Sequence, residues 1–186
     1  MTWYAIRLAL LAALLAGLLS GPAQAGGPEL RVLDGDTIKI GKVNYRLHGI
    51  DAPEKAQRCQ RDNVDWLCGQ EAAAHLRKLI GRQSVTCTEK DHDRYGRVVA
   101  VCEAGGVDLN RAMVRAGLAW AYLDYSRDYE AAEWEAQMLG NGVWADTVQA
   151  EPAWDWRRAQ KLQNRRQKPA NDNAPNSAGG AARIRG

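Results

Sequence analysis

Three features of the sequence predict a mainly β, α+β fold in which five strands curl into a small barrel with three helices around it. Apolar and polar residues alternate with a period of two in five short segments. Three other segments carry apolar residues at helical spacing, and glycine- or aspartate-rich turns separate nearly all of them.

Residues 30–33, 37–40 and 43–50 form the first three strands, divided by the turns Asp34-Gly35-Asp36 and Gly41-Lys42. Residues 70–80 place Ala73, Leu76, Leu79 and Ile80 on one helical face, and Gly81 stops that helix. Two more strands follow at 84–89 and 98–103. Gly105-Gly106 then turns the chain into a helix over 108–116, with Leu109, Ala112 and Met113 inward and Gly117 as its stop. A last helix spans 128–139 and ends at Gly140-Asn141-Gly142. Five strands in a closed meander, with a helix between the third and the fourth, is the layout of an OB-fold barrel.

Composition narrows the class without choosing a function. Over 186 residues, 46% are hydrophobic and 25% charged, which excludes a wholly disordered chain and a multi-spanning membrane protein. Lys and Arg number 25 against 22 Asp and Glu, so a polyanionic partner is permitted but not demanded. Residues 8–19 are a nearly unbroken Leu/Ala run, shorter than the roughly 20 residues a membrane span needs. Arg7 precedes the run and Ala23-Gln24-Ala25 follows it, so residues 1–25 read as a signal peptide. The expected organisation is that segment, an OB-fold domain over 26–150, a Trp/Arg-rich extension over 151–167 and a disordered tail over 168–186. The expected product is an exported monomer, periplasmic or extracellular, with no stable membrane insertion after cleavage.

Export makes the cysteines candidates for pairing. Cys59, Cys68, Cys87 and Cys102 allow three pairings. Cys87 and Cys102 flank the turn Asp93-Arg94-Tyr95-Gly96-Arg97 within two apolar runs, while Cys59 and Cys68 share one polar loop. The expected pairs are Cys59 with Cys68 and Cys87 with Cys102. No Cys-x-x-Cys pattern supports a zinc site, and His48, His75 and His92 are scattered.

Charge concentrates in three blocks. Leu33-Asp34-Gly35-Asp36-Thr37 is a tight turn with two carboxylates, and the segment from Tyr45 to Glu54 ends a strand with Asp51 and Glu54. The third block is the turn from Asp93 to Arg97. Phosphodiester hydrolysis needs this mixture. A hard cation takes oxygen ligands, a separate carboxylate can activate water, and guanidiniums stabilise the charge that builds on phosphorus-bound oxygens. Each block alone has an ordinary structural explanation, since hairpin turns and solvated strand arginines are common. Their order and separation together point to a site.

From Glu29 to Trp144 these blocks, with Gly117-Leu118-Ala119 and Tyr122, resemble the staphylococcal nuclease family. The resemblance implies an OB-fold barrel, one catalytic Ca²⁺, and cleavage of DNA and RNA with little sequence preference that leaves 3′-phosphates. It implies Asp36 and Asp51 as calcium carboxylates with the carbonyl of Ala52, where the family usually has threonine. Glu54 is implied as general base, and Arg46 and Arg97 as the phosphate-binding arginines. By the same resemblance Arg94 stands where a lysine near the terminal phosphate is common, Tyr95 and Tyr122 match the tyrosines that line the family's nucleotide pocket, and Asp34 is implied to support the metal site from behind. The Cys59/Cys68 loop replaces a lysine-rich one. The tail from Trp154 to Arg158 is similar to that of exported relatives and receives no catalytic role. Two rival expectations are an OB-fold module that binds nucleic acid without turnover and a cell-envelope interaction protein that uses the Trp-rich tail.

Overall fold

The computed structural model describes residues 28–167, so the expected signal peptide at 1–25 and the expected tail at 168–186 lie outside the described residues. In chain order the elements are β1 (Leu30–Val32), β2 (Thr37–Ile40), β3 (Val43–Leu47), β4 (Ile50–Asp51), β5 (Cys59–Arg61) and β6 (Val64–Trp66). Helix α1 (Cys68–Ile80) leads to β7 (Val85–His92), β8 (Val98–Ala104) and β9 (Val107–Asp108). Then come α2 (Leu109–Arg115), β10 (Trp120–Ala121), α3 (Glu130–Met138), β11 (Val148–Gln149) and α4 (Ala153–Gln167).

The main sheet runs β1-β2-β3-β8-β7, which are the five expected strands, and β9 extends it beside β8. It is not a simple meander. β3 pairs with β8 in parallel, with Arg46 opposite Val99, and α1 makes the crossover that parallel pairing requires. No hydrogen-bonded ladder joins β7 to β1 among the described residues, so the sheet is a curled half-barrel of OB type. The expected third strand is also interrupted. His48 and Gly49 turn the chain, Gly49 at φ 68°, and Asp51 belongs to the separate strand β4.

Strand alternation sends Ile38 and Leu47 inward, where they meet Leu76 of α1 and Leu109, Met113 and Val114 of α2 in one core. Burying side chains of this size is worth about 1.5–3 kcal/mol each relative to exposure. The α1 face is the expected one, with Ala73, Leu76 and Ile80 buried, although Leu79 is only partly covered. Asn110 of α2 is wholly buried. Its amide donates to the carbonyls of His48 and Ala100 at 2.9 and 3.2 Å and accepts from Cys102 N at 3.1 Å, tying α2 to β8 and to the turn after β3.

Both disulfides form as expected, Cys59 with Cys68 and Cys87 with Cys102. Cys87 and Cys102 stand directly opposite each other in the β7/β8 ladder. The loop expected around Cys59 is itself a hairpin of β5 and β6, turning at Asp62 and Asn63 with φ of 54° and 61°. The structure also adds a fourth helix, α4, within the Trp/Arg-rich extension.

Candidate active site

Asp36 is positioned by the turn before β2. Asp34 Oδ1 accepts from Asp36 N at 3.1 Å, closing an Asx turn, and Leu47 N donates to the Asp36 carbonyl at 2.8 Å. The turn can sit this deep because residue 35 has no side chain. A Cβ there would lie 2.6 Å from Ala52 Cβ and 2.8 Å from Ala72 Cβ. Asp36 Oδ1 accepts from Thr37 Oγ1 at 3.1 Å and Oδ2 from Ala52 N at 2.8 Å, so Asp36 is held against Ala52 by the backbone N–H.

Asp51 comes from β4, which pairs with β10 so that Asp51 faces Trp120 across the ladder. It has no exposed surface and its charge is met by two guanidiniums. Arg46 Nη2 donates to Oδ1 at 2.7 Å, and Arg157 of α4 reaches Oδ1 at 3.0 Å and Oδ2 at 2.9 Å. Arg46 also forms an ion pair with Asp36. Burial pulls Arg46 below its usual range, against the pull of Asp51 and with a contribution from Arg97. Burial pushes Asp34 up, opposed by its hydrogen bonds with Thr37 and by the charges of Arg46 and Arg97.

Glu54 follows Pro53 at the start of the loop into β5, and Gln57 fixes it. Gln57 Oε1 accepts from Glu54 N at 3.2 Å, and Gln57 Nε2 donates to the Glu151 carbonyl at 2.7 Å. Gly69 at the head of α1 lies so close to the Glu54 carbonyl that any Cβ would overlap it. The Glu54 side chain is one-third exposed and accepts from Arg157 Nη1 at 2.8 Å.

Arg97 lies on the β7/β8 turn and is aimed by Asp93. Asp93 Oδ1 accepts from the backbone N–H of Tyr95 and of Arg97, both at 2.9 Å, while Oδ2 accepts from Arg97 Nε at 2.6 Å. These bonds outweigh the opposing effect of burial and hold Asp93 below its ordinary value. Arg97 Nη1 points to Thr37 Oγ1 at 3.4 Å. Arg94 is exposed and donates to the Tyr95 hydroxyl at 2.9 Å.

Two cavities meet at this cluster. One of about 450 Å³ is lined by Asp34, Asp36, Glu54, Arg157 and Lys161, and one of about 510 Å³ by Ile50, Tyr122 and Tyr125. Arg46, Arg94, Tyr95 and Arg97 border both. The structure thus gathers Asp34, Asp36, Arg46, Glu54, Arg94, Tyr95 and Arg97 around adjoining clefts, with Tyr122 in the second and the buried Asp51 and Ala52 bonded to Arg46 and Asp36. The cysteines stay apart: Cys87–Cys102 staples the β7/β8 hairpin, and Cys59–Cys68 ties β5 to the first residue of α1. Among the described residues no three His, Cys, Asp or Glu side chains close into a ready cage for a metal ion. Asp36 and Asp51 remain suited to a hard cation. They are buried carboxylates on neighbouring elements, and each already draws positive charge.

Arg157, Asp93 and Gln57 were not singled out by sequence reasoning. Asp93 carried a signal, an aspartate three residues before a glycine in a hairpin turn. Arg157 carried none, because its role depends on where α4 docks. Ala153 is fully buried and Trp154 stacks on Tyr122 with centroids 5.6 Å apart, meeting Trp120 edge-on at 6.1 Å. One helical step of three residues then points Arg157 at the carboxylates.

A family model described as staphylococcal nuclease homologue matches residues 44–146. A micrococcal nuclease of Shigella flexneri is 39% identical over 163 residues, spanning 77% of this chain and 88% of its own. An Escherichia coli protein named as an endonuclease is 37% identical over 142 residues, 73% of this chain and 86% of its own. The succinoglycan biosynthesis protein ExoI of Rhizobium meliloti (strain 1021) is 36% identical over 143 residues, 73% of each chain. Fold and likeness together define a nuclease on an OB-type sheet. The chain belongs to the staphylococcal nuclease family.

Proposed function

We propose that this protein is an exported, Ca²⁺-dependent endonuclease that hydrolyses DNA and RNA with little sequence preference and leaves 3′-phosphates. The observation that carries this reading is the convergence of Asp36, Glu54, Arg46 and Arg97 on two clefts that share the two arginines as their border, with the buried Asp51 bonded to Arg46. Two disulfides in one small domain support an oxidising compartment. Among the described residues no helix is long and apolar enough to cross a membrane.

Asp36, Asp51 and the carbonyl of Ala52 would hold the calcium ion. When bound, the ion supplies positive charge beside the reacting phosphate, lowering the cost of the charge added in the transition state. Arg46 and Arg97 hold the non-bridging oxygens from the cleft border, a bidentate task suited to guanidinium. Glu54, one-third exposed and accessible to water, accepts the proton of the attacking water. Tyr95 and Tyr122 give the base a stacking surface, and Arg94 engages a neighbouring phosphate. Asp34 keeps the turn that carries Asp36. Among the described residues the clefts offer guanidiniums and tyrosine rings, groups that suit phosphate holding and base stacking and so a broad substrate choice.

The test is an in-gel nuclease assay on DNA and RNA with Ca²⁺, with Mg²⁺ and with chelator, followed by end-group analysis of the products. Activity restored by Ca²⁺ and 3′-phosphorylated ends are expected. Full activity in chelator overturns the metal assignment, and binding without cleavage under every condition overturns the enzyme.

A further inference from the structure

The residue that reaches deepest into the carboxylates from outside the family-matched segment is Arg157. That segment ends at residue 146, whereas Arg157 belongs to α4. Its guanidinium forks onto both oxygens of Asp51, at 3.0 and 2.9 Å, and adds a third bond to Glu54 at 2.8 Å. It shares Oδ1 of Asp51 with Arg46. The contact is built rather than incidental. Asp51 is wholly buried, Trp154 is stacked on Tyr122 one helical step away, and Gln57 fastens Glu54 to the backbone just before α4.

We propose that Arg157 and the divalent cation are alternative partners of the same carboxylate oxygens, so that Arg157 sets the cation concentration at which the site loads. This rests on the cation reading given above. A carboxylate offers about four lone-pair positions, and on Asp51 three are taken by guanidinium N–H groups. A divalent ion coordinating Asp51 therefore competes with the Arg157 fork for the same oxygens, and the two positive charges repel each other at contact range. Because coupling between two binding events is reciprocal, cation loading must weaken the hold of α4 on the domain by the factor by which α4 weakens the cation. Trp154 contributes to docking without touching the carboxylates, so it acts on cation affinity only through α4.

The experiment is calorimetric titration of CaCl₂ into the full chain and into Arg157→Gln and Trp154→Ala, with hydrogen exchange over residues 153–167 measured with and without Ca²⁺. Couplings of this kind run from about 5- to 150-fold. Arg157→Gln is expected to bind Ca²⁺ about tenfold more tightly, and Trp154→Ala more tightly by a smaller factor. In the unaltered chain Ca²⁺ should speed exchange in α4. Should Arg157→Gln not fold, the Trp154→Ala titration and the exchange data decide. Equal affinities with unchanged exchange overturn the inference and leave the cation reading standing. No Ca²⁺ uptake by any form overturns both.

Discussion

Arg46 donates to Asp51 at 2.7 Å in a place where Asp51 has no exposed surface. The arginine proposed to hold the phosphate is therefore also the partner of a buried carboxylate. Removing one member of a buried pair typically costs about 3 to 5 kcal/mol, because the other charge is left uncompensated. Arg46→Ala should lose stability toward the lower end of that range, since Arg157 still covers Asp51. Arg46→Lys keeps the charge but loses the fork, and should fold while turnover falls by about 10² to 10³. Denaturant unfolding beside kcat measurement separates the two effects. Arg46→Lys cutting DNA at near wild-type rate would show that the clamp lies elsewhere.

Glu54 and Asp36 differ in burial, and so should their substitutions. Glu54→Gln changes a one-third exposed side chain held by Arg157, so stability should barely move while kcat drops steeply. Asp36→Asn alters a buried carboxylate bound to Ala52 N and paired with Arg46, and should raise the Ca²⁺ needed for half-maximal rate. A cation titration of activity distinguishes them. The assignment fails if Glu54→Gln shifts the Ca²⁺ requirement while Asp36→Asn leaves it unchanged.

Cys87 and Cys102 close a separation of 15 residues. In the chain-entropy model such a crosslink is worth about 3 kcal/mol. Cys87→Ala/Cys102→Ala should lower the unfolding free energy by roughly that amount, and at low temperature it should retain activity, because neither sulfur borders the clefts. Unfolding curves with and without reductant provide the check. A double variant as stable as the oxidised protein would contradict it.

The strands and first three helices were legible because each carries its own periodicity and its own stop signal, as α1 does with Leu76, Ile80 and Gly81. The Cys87–Cys102 pair was legible because β7 and β8 are joined by one short turn, which fixes register, and Cys59–Cys68 because a separation of 9 keeps both in one loop. The parallel pairing of β3 with β8 was not, because no local pattern encodes which strand a crossover returns to. Two side chains show the same limit inside the site. Asp36 was readable from its turn, whereas Arg157 lies over 100 residues from Asp51 and meets it only through α4 docking at Trp154.

Gly35 admits a direct steric test. Alanine there would bring its Cβ to 2.6 Å of Ala52 Cβ and 2.8 Å of Ala72 Cβ, with α1 behind and β4's exit in front. The turn must move, and Asp36 moves with it. Overpacking of this kind costs about 1–3 kcal/mol. Gly35→Ala should lose that stability and weaken Ca²⁺ binding, while Gly106→Ala, which loses stability only through its φ of 78° with open space around its Cβ position, should leave cation binding unchanged. Calorimetry on both variants reads the difference. Equal Ca²⁺ affinity in Gly35→Ala and the parent would show that the turn does not position the ligand.

Asp93 gives the pH dependence of the arginine clamp. Burial would raise its pKa, but the backbone and side-chain hydrogen bonds from Arg97 and the N–H of Tyr95 carry it below 3.8. A carboxylate lowered on folding contributes stability that is present above its unfolded value and is lost as pH falls through the lowered one. From neutrality down to about pH 4 the Asp93 contribution should therefore stay constant, and it should vanish only in stronger acid. Asp93→Asn keeps a side-chain oxygen for the two backbone N–H groups but removes the charge that aims Arg97 through Nε at 2.6 Å. That variant should show a flatter stability profile below pH 4 than the parent. At neutral pH it should lower kcat more than it raises KM, since Arg97 is left charged but less well aimed at the charge that builds on the phosphate. Unfolding measured across the acid range, beside steady-state kinetics at neutral pH, gives both readouts. Parallel acid profiles and unchanged kcat in Asp93→Asn would show that Arg97 is aimed by something other than Asp93.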